Sequence, residues 1–344
     1  MYNYYLPPAP SSTPWAPAWS PDGETIAVGM SGSIWTVDLE DGVDAETGSA
    51  TAPGLATELT RALEYHFSPA WSPDGRWIVY TADNGASIGE GPHTIQLEIL
   101  DVESGESHAL TDDEFVYADP TFSPDGGRLA FVSTRPHGYF NVYVRRIEDG
   151  RWSGDAVAVT SDNDFGRSRL YFGSQDMHLS PSWMPNGQEL LLVSNRDVAL
   201  GSGNVIRVPA EARGIERRST VLAEQTLYRA RPDVSPDGKR FVYSSTSGSA
   251  DQFNNLYVQP TIGGEPYKLT FFEHDAFHAR WSPDGEWIAF ISNEDGLPQL
   301  EFLETFGGAR RRIDIVERRW KGSMGALRVT VRAEGISGPT ARRV

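Results

Sequence analysis

The sequence contains no cysteine and only five methionines among its 344 residues. The first absence excludes disulfides and thiolate-held metals, and it leaves the compartment open. No apolar run is long enough to span a bilayer as a helix. Basic residues are in deficit: 30 Lys and Arg stand against 47 Asp and Glu, a net charge of −17. That balance argues against a nucleic-acid surface and against an anionic membrane, so neither is expected as a partner. Met1-Tyr2-Asn3-Tyr4-Tyr5 lacks the charged region and apolar core of a secretory signal. No H-E-x-x-H, P-loop or G-x-G-x-x-G stands at a strand–helix junction. Gly85-Ala86-Ser87-Ile88-Gly89 does match G-x-S-x-G. A nucleophile elbow needs a helix after the serine, and here strand follows strand.

Glycine (34) and proline (23) are abundant, and both gather in a five-residue motif that occurs six times. The copies are W-S-P-D-G at 19–23, 71–75 and 281–285, F-S-P-D-G at 122–126, W-M-P-N-G at 183–187 and V-S-P-D-G at 234–238. Pro17, Pro69, Pro120, Pro181 and Pro232 stand two residues ahead of the first five, with Ala279 ahead of the sixth. Proline presets φ at the second position of a turn, Asp tolerates the third, and Gly supplies the positive φ that closes it. Asp22, Asp74, Asp125, Asp237 and Asp284 are therefore structural. An alternating run such as R-W-I-V-Y or E-W-I-A-F follows each turn and predicts a half-buried strand. Two further short strands follow in each unit, the last ending in most cases as L-T or V-T. Four strands per unit of about 50 residues predict an all-β fold, a six-bladed β-propeller of four-stranded antiparallel blades.

The pattern P-x-W-S-P-D-G-x-x-I-A-F, with its later L-T, resembles the WD40-like repeats of TolB-type propellers. The resemblance covers residues 17–313, with 1–16 as an extended lead-in and 314–344 as a basic tail. Residues 309–344 hold ten Lys and Arg and three Asp and Glu, so residues 1–308 carry −24. Leu327-Arg328-Val329-Thr330-Val331 alternates like a new strand, which predicts either the start of a further β domain or a strand packed back on the propeller. The family includes envelope proteins that dock partner proteins, and N-terminal propellers of bacterial multidomain hydrolases, amidohydrolase-type enzymes among them. The resemblance implies a periplasmic or extracellular location. It implies a non-catalytic binding or scaffold module, with two alternatives. One is the propeller part of a metal-dependent hydrolase. The other is a stand-alone polysaccharide lyase using His, Arg and Tyr at the channel mouth.

In the usual propeller path the residues just before each P-x-W ring the mouth of the central channel. His66, Tyr117, His178 and Arg229 share one register, three residues before the proline, and Asp119, Arg231 and His278 lie nearby. Arg and protonatable His suit an anionic small molecule, a saccharide or a protein partner. His66, His178 and His278 suit a divalent metal in the channel, the one cofactor considered. A polar mouth without a ligand stays open beside both. Asp162-x-Asp164-x-Gly166, in the long connection 161–180, resembles a calcium loop but lacks a third acidic position and the distal Glu. It reads as a turn-rich connector.

Overall fold

The computed structural model describes residues 12–39, 51–62, 64–84, 94–169, 173–199, 203–223, 231–247, 253–306 and 308–322. Apart from one short 3-10 turn at Gly214–Arg217, its regular elements are strands. Each S-P-D-G copy forms the turn between the first two strands of its repeat. In the first copy Ser20 Oγ donates to Asp22 Oδ1 at 2.5 Å and accepts from Thr25 N at 3.0 Å. Asp22 Oδ1 also accepts from Glu24 N at 3.0 Å. The serine hydroxyl holds the Asp22 carboxyl below its usual range, and Asp74, Asp125 and Asp237 behave alike beside their own serines. In the fourth copy Asn186 takes the Asp role, accepting from Gln188 N at 2.9 Å.

The turn glycines hold positive φ, from +64° at Gly187 to +76° at Gly23. Each also lies against the proline of the preceding turn. A Cβ on Gly75 would stand 3.5 Å from Pro21 Cγ, and one on Gly23 would stand 3.8 Å from Pro283 Cδ. The last turn thus touches the first, and the six turns form a closed ring.

The terminal threonine of the L-T pairs has a shared task. Thr60, Thr111, Thr160 and Thr270 each accept, through Oγ1, the backbone N–H of Ile34, Leu97, Val142 and Leu256, all at 2.9 Å. The hydroxyl thereby satisfies a buried third-strand donor where the fourth strand leaves the sheet.

The expectation of a six-bladed propeller of four-stranded antiparallel blades is corrected to four such blades beside one nearly closed eight-stranded sheet. Repeats two to five each form a four-stranded sheet, but the first and last repeats share one eight-stranded sheet. The outermost strand of the first repeat, Thr51–Glu58, pairs in parallel with Arg310–Arg319, the outermost strand of the last. That ten-residue strand runs past residue 313, so residues 314–319 are part of the ring wall. Parallel pairing of two blade edges is a long-range choice that four-strand periodicity does not encode.

The inner strands of the same sheet, Trp15–Trp19 and Ala276–Trp281, also meet. Trp15 packs on Phe277, and Trp19 Nε1 donates to Arg280 O at 3.2 Å. The eight strands therefore fold almost into a closed barrel. Its interior holds Ile26, Val28, Trp35, Val37, Phe302 and Ile313. Beyond the last strand, Trp320 meets Trp35 edge-on at 4.7 Å, and Lys321 N donates to the buried Glu58 at 2.8 Å. The alternating run at 327–331, the Gly85–Gly89 stretch and the lead-in to residue 11 lie outside the described residues.

The connection 161–180 contains a two-stranded ribbon, Asp164–Arg169 and Gly173–Gln175, instead of turns alone. Asp164 Oδ1 accepts from Gly166 N at 2.8 Å, the bond of a local turn. Beneath the ribbon Arg169 and Asp176 form a buried ion pair at 2.6 Å.

Candidate functional site

The first strand of each repeat faces the central channel, and each carries the same irregularity. Ala16, Ser68, Asp119, Ser180, Arg231 and His278 all have φ between +41° and +53°. Five of them precede proline, which already disfavours helical φ and ψ in the residue before it. The register breaks at this point, for example between Phe67 and Ala70 and between Leu179 and Ser182. A bulge of this kind re-aims the side chains around it. Six strained residues at one level, held by the surrounding sheets, are the type of backbone feature that gathers at functional sites.

The bulges line a channel cavity of about 290 Å³. Four of its lining side chains are charged: Asp119, Arg231, Asp233 and Arg280. Arg231 lies 3.4 Å from Asp119. Asp119 Oδ2 accepts from Ser180 N and Ser180 Oγ, both at 3.1 Å. Asp233 Oδ2 accepts from Trp281 N at 2.8 Å, and Ser182 Oγ accepts from Val234 N at 3.1 Å. Side chains of one inner strand thus cap backbone donors of the next. Removal from bulk water pushes the Asp233 carboxyl up, against the opposing pull of Arg280 and the Trp281 amide. The same removal pulls the Arg280 guanidinium down, with Asp233 opposing. Two acids and two bases, each half-buried, therefore line one cavity.

Asp119 and Arg231, both expected at the channel, are brought together there. His66, Tyr117 and His178 are buried beside the sheets and do not line this cavity. His66 Nδ1 shares a 2.7 Å hydrogen bond with Thr60 Oγ1, and its ring packs on Tyr80. Burial pulls its imidazole below the ordinary value. Tyr117 donates to Asp113 at 2.7 Å and receives a 3.3 Å bond from Arg135. Burial and Asp113 push its phenol up to about 12. His278 sits at a bulge with its ring edge-on to Trp15 at 4.7 Å. Arg229 lies outside the described residues. Among the described residues no three His, Asp or Glu side chains are grouped as a metal site.

His66, Tyr117 and His178 all stand before the positive-φ residue of their strand. That residue breaks the alternation of the inner strand, and the side chains before it are buried, His66 on Tyr80 and Tyr117 beside Phe131. Asp233 and Arg280 were missed, though a signal exists. The variable position of P-x-W is Ala18, Ala70, Thr121 and Ser182 in four repeats, and becomes charged only in the last two.

His178 has a measurable consequence of its own. It is fully buried. Burial, reinforced by the Arg196 charge, pulls the imidazole down to about 3. The folded form holds it neutral while the unfolded chain titrates near the ordinary value of about 6.5. Its contribution to stability is complete above about pH 6.5 and is lost as pH falls toward 3, at up to about 1.4 kcal/mol per pH unit. Urea denaturation of wild type and His178→Phe at neutral and mildly acid pH should show a shallower pH dependence in the variant. Equal dependence would remove His178 from the acid response.

No family model matches the chain. It is 27% identical over 225 residues to the uncharacterized peptidase YuxL of Bacillus subtilis, covering 65% of this chain and 29% of that protein. It is 25% identical over 246 residues to the Tol-Pal system protein TolB of Francisella tularensis subsp. holarctica, covering 70% of this chain and 48% of that one. The chain thus spans about half or less of these curated relatives. A solved oligogalacturonate lyase in complex with manganese superposes with a TM-score of 0.53 at 18% identity, over 83% of this chain and 75% of its own. That likeness concerns the fold alone.

Proposed function

We propose, from the premise that the chain is a TolB-like β-propeller, that it is a binding module whose central channel engages a segment of a partner protein. The observation that carries this reading is the channel cluster of Asp119, Arg231, Asp233 and Arg280 on strained inner-strand bulges. Equal numbers of acid and base complement a zwitterionic, hydrogen-bonding chain better than a simple anion. The serine and threonine side chains of neighbouring strands add neutral donors and acceptors. The similarity to TolB supports a periplasmic or extracellular location for the module.

Random peptides displayed on phage and selected against the wild-type ring should yield binders that weaken at least about tenfold on Arg280→Ala or Asp233→Asn. Binders indifferent to both changes would move the site away from the channel. A second reading, the propeller part of a longer hydrolase, is favoured by the match to a peptidase of which this chain covers under a third. In that case the channel serves substrate entry, and turnover belongs to residues elsewhere in the longer protein.

A further inference from the structure

A second cavity, of about 500 Å³, lies away from the channel, between the end of the second repeat and the third sheet. Each strand of the third sheet sends one aromatic ring toward it: Tyr117, Phe131, Tyr143 and Trp152. The rings cluster around Phe131. Tyr117 and Phe131 are 5.9 Å apart, Phe131 and Tyr143 are stacked at 6.0 Å, and Phe131 and Trp152 are 5.7 Å apart. Phe131 and Tyr117 are buried, while Tyr143 and Trp152 are half-exposed on the cavity wall.

The polar groups around this cluster are fixed. The Tyr117 hydroxyl is tied to Asp113 and Arg135, the Tyr143 hydroxyl donates to Arg135 O at 2.7 Å, and Trp152 Nε1 donates to Leu110 O at 2.6 Å. Asp112 and Asp155 stand exposed at the rim. Gly154, at φ +73°, and the register break in the outer strand set the position of Asp155.

The charges decide the class of ligand. An anion would meet Asp112, Asp113 and Asp155. A cation would meet Arg135 and Arg145 on the same wall, and Arg145 already lies over Trp152 at 5.0 Å, which leaves the half-buried Tyr143 as the ring that meets a ligand. What fits is a neutral molecule with one flat apolar face and a rim of groups that both donate and accept. A sugar ring has that shape: its polarised C–H face suits the negative face of an aromatic ring, and its hydroxyls donate to carboxylates and accept from guanidinium. The volume lies in the range of small-molecule sites. We propose that this cleft is a binding site for a neutral saccharide.

The test uses cellobiose, maltose and N,N′-diacetylchitobiose, with glucuronic acid and glucosamine as charged counterparts, titrated by saturation-transfer difference NMR. At least one neutral disaccharide should bind saturably in the millimolar range or tighter. Tyr143→Ala should weaken it about tenfold or more, and so should the exposed change Asp155→Ala, which spares the core. Lys239→Gln, exposed on the turn of the fifth repeat and away from both cavities, should leave it unchanged. Failure of all three neutral sugars to saturate overturns the proposal. So does binding that ignores both cleft variants, or tighter binding of either charged sugar.

Discussion

Asp176→Ala should destabilise the protein by about 3–5 kcal/mol, the cost of leaving a buried charge without its partner. Asp176 is fully buried and Arg169 nearly so. Arg169 spends every N–H it has inside the protein. Nε donates to Val198 O at 2.8 Å, Nη1 to Ser174 O and Gln175 O at 2.9 and 3.1 Å, and Nη2 to Asp176 Oδ1 and Asn195 O at 2.6 and 3.1 Å. Its guanidinium lies over the Phe165 ring at 4.2 Å. Arg196 approaches the other Asp176 oxygen at 2.7 Å and reaches Ser161 O at 2.6 Å. Removing the carboxylate leaves two guanidinium groups facing one another where water is scarce. Urea denaturation of Asp176→Ala and of the isosteric Asp176→Asn should both show the loss. A cost below about 1 kcal/mol in both would mean that the pair is screened as surface pairs are.

The six turns were legible because their chemistry is local. Ser, Pro, Asp and Gly each answer to a φ angle or a hydrogen bond within five residues, so Ser20 to Thr25 reads the same in sequence and in space. The L-T threonines were legible as a repeat but not as acceptors for third-strand amides, since that pairing crosses a strand. The channel was half legible. Asp119 and Arg231 lie next to a proline whose ordinary effect is an extended predecessor, and the ring geometry forces the opposite. His66, Tyr117 and His178 stand before that kink and are buried. The ribbon at 164–175 was hidden because its anchor, Arg169, is charged and gives no apolar signal of burial. The joining of Thr51–Glu58 to Arg310–Arg319 could not be read at all. Its register depends on where the fourth strand of the first repeat meets an arginine-rich strand from the far end of the chain.

That junction supplies the second large effect. Gly54 lies on the outer strand of the first repeat, and a Cβ there would stand 2.7 Å from Ile313 Cγ2 and 3.1 Å from Val37 Cγ1. Both neighbours belong to the barrel core. Gly54→Val should therefore cost about 1–3 kcal/mol by overpacking. Ile313→Ala should cost about 2–5 kcal/mol through the cavity it leaves. The two should not add. In the double variant the valine methyls enter the space that Ile313 vacates, and the coupling should recover about 1 kcal/mol or more. Thermal melts of the four proteins in the cycle measure it, and strict additivity would mean that the two strands do not touch as described.

The parallel pairing of Thr51–Glu58 with Arg310–Arg319 also sets a problem in time. Of all paired strands in the ring these two are furthest apart along the chain, so their meeting carries the largest loop-closure entropy and comes after the other sheets have formed. Until then each is an open edge, and open edges accept any strand of matching register, including the same strand from another molecule. Shutting the ring is thus a race between a contact within one chain and the same contact between two. Protein concentration during synthesis and refolding becomes part of what decides whether the product is a closed monomer or an exchanged assembly.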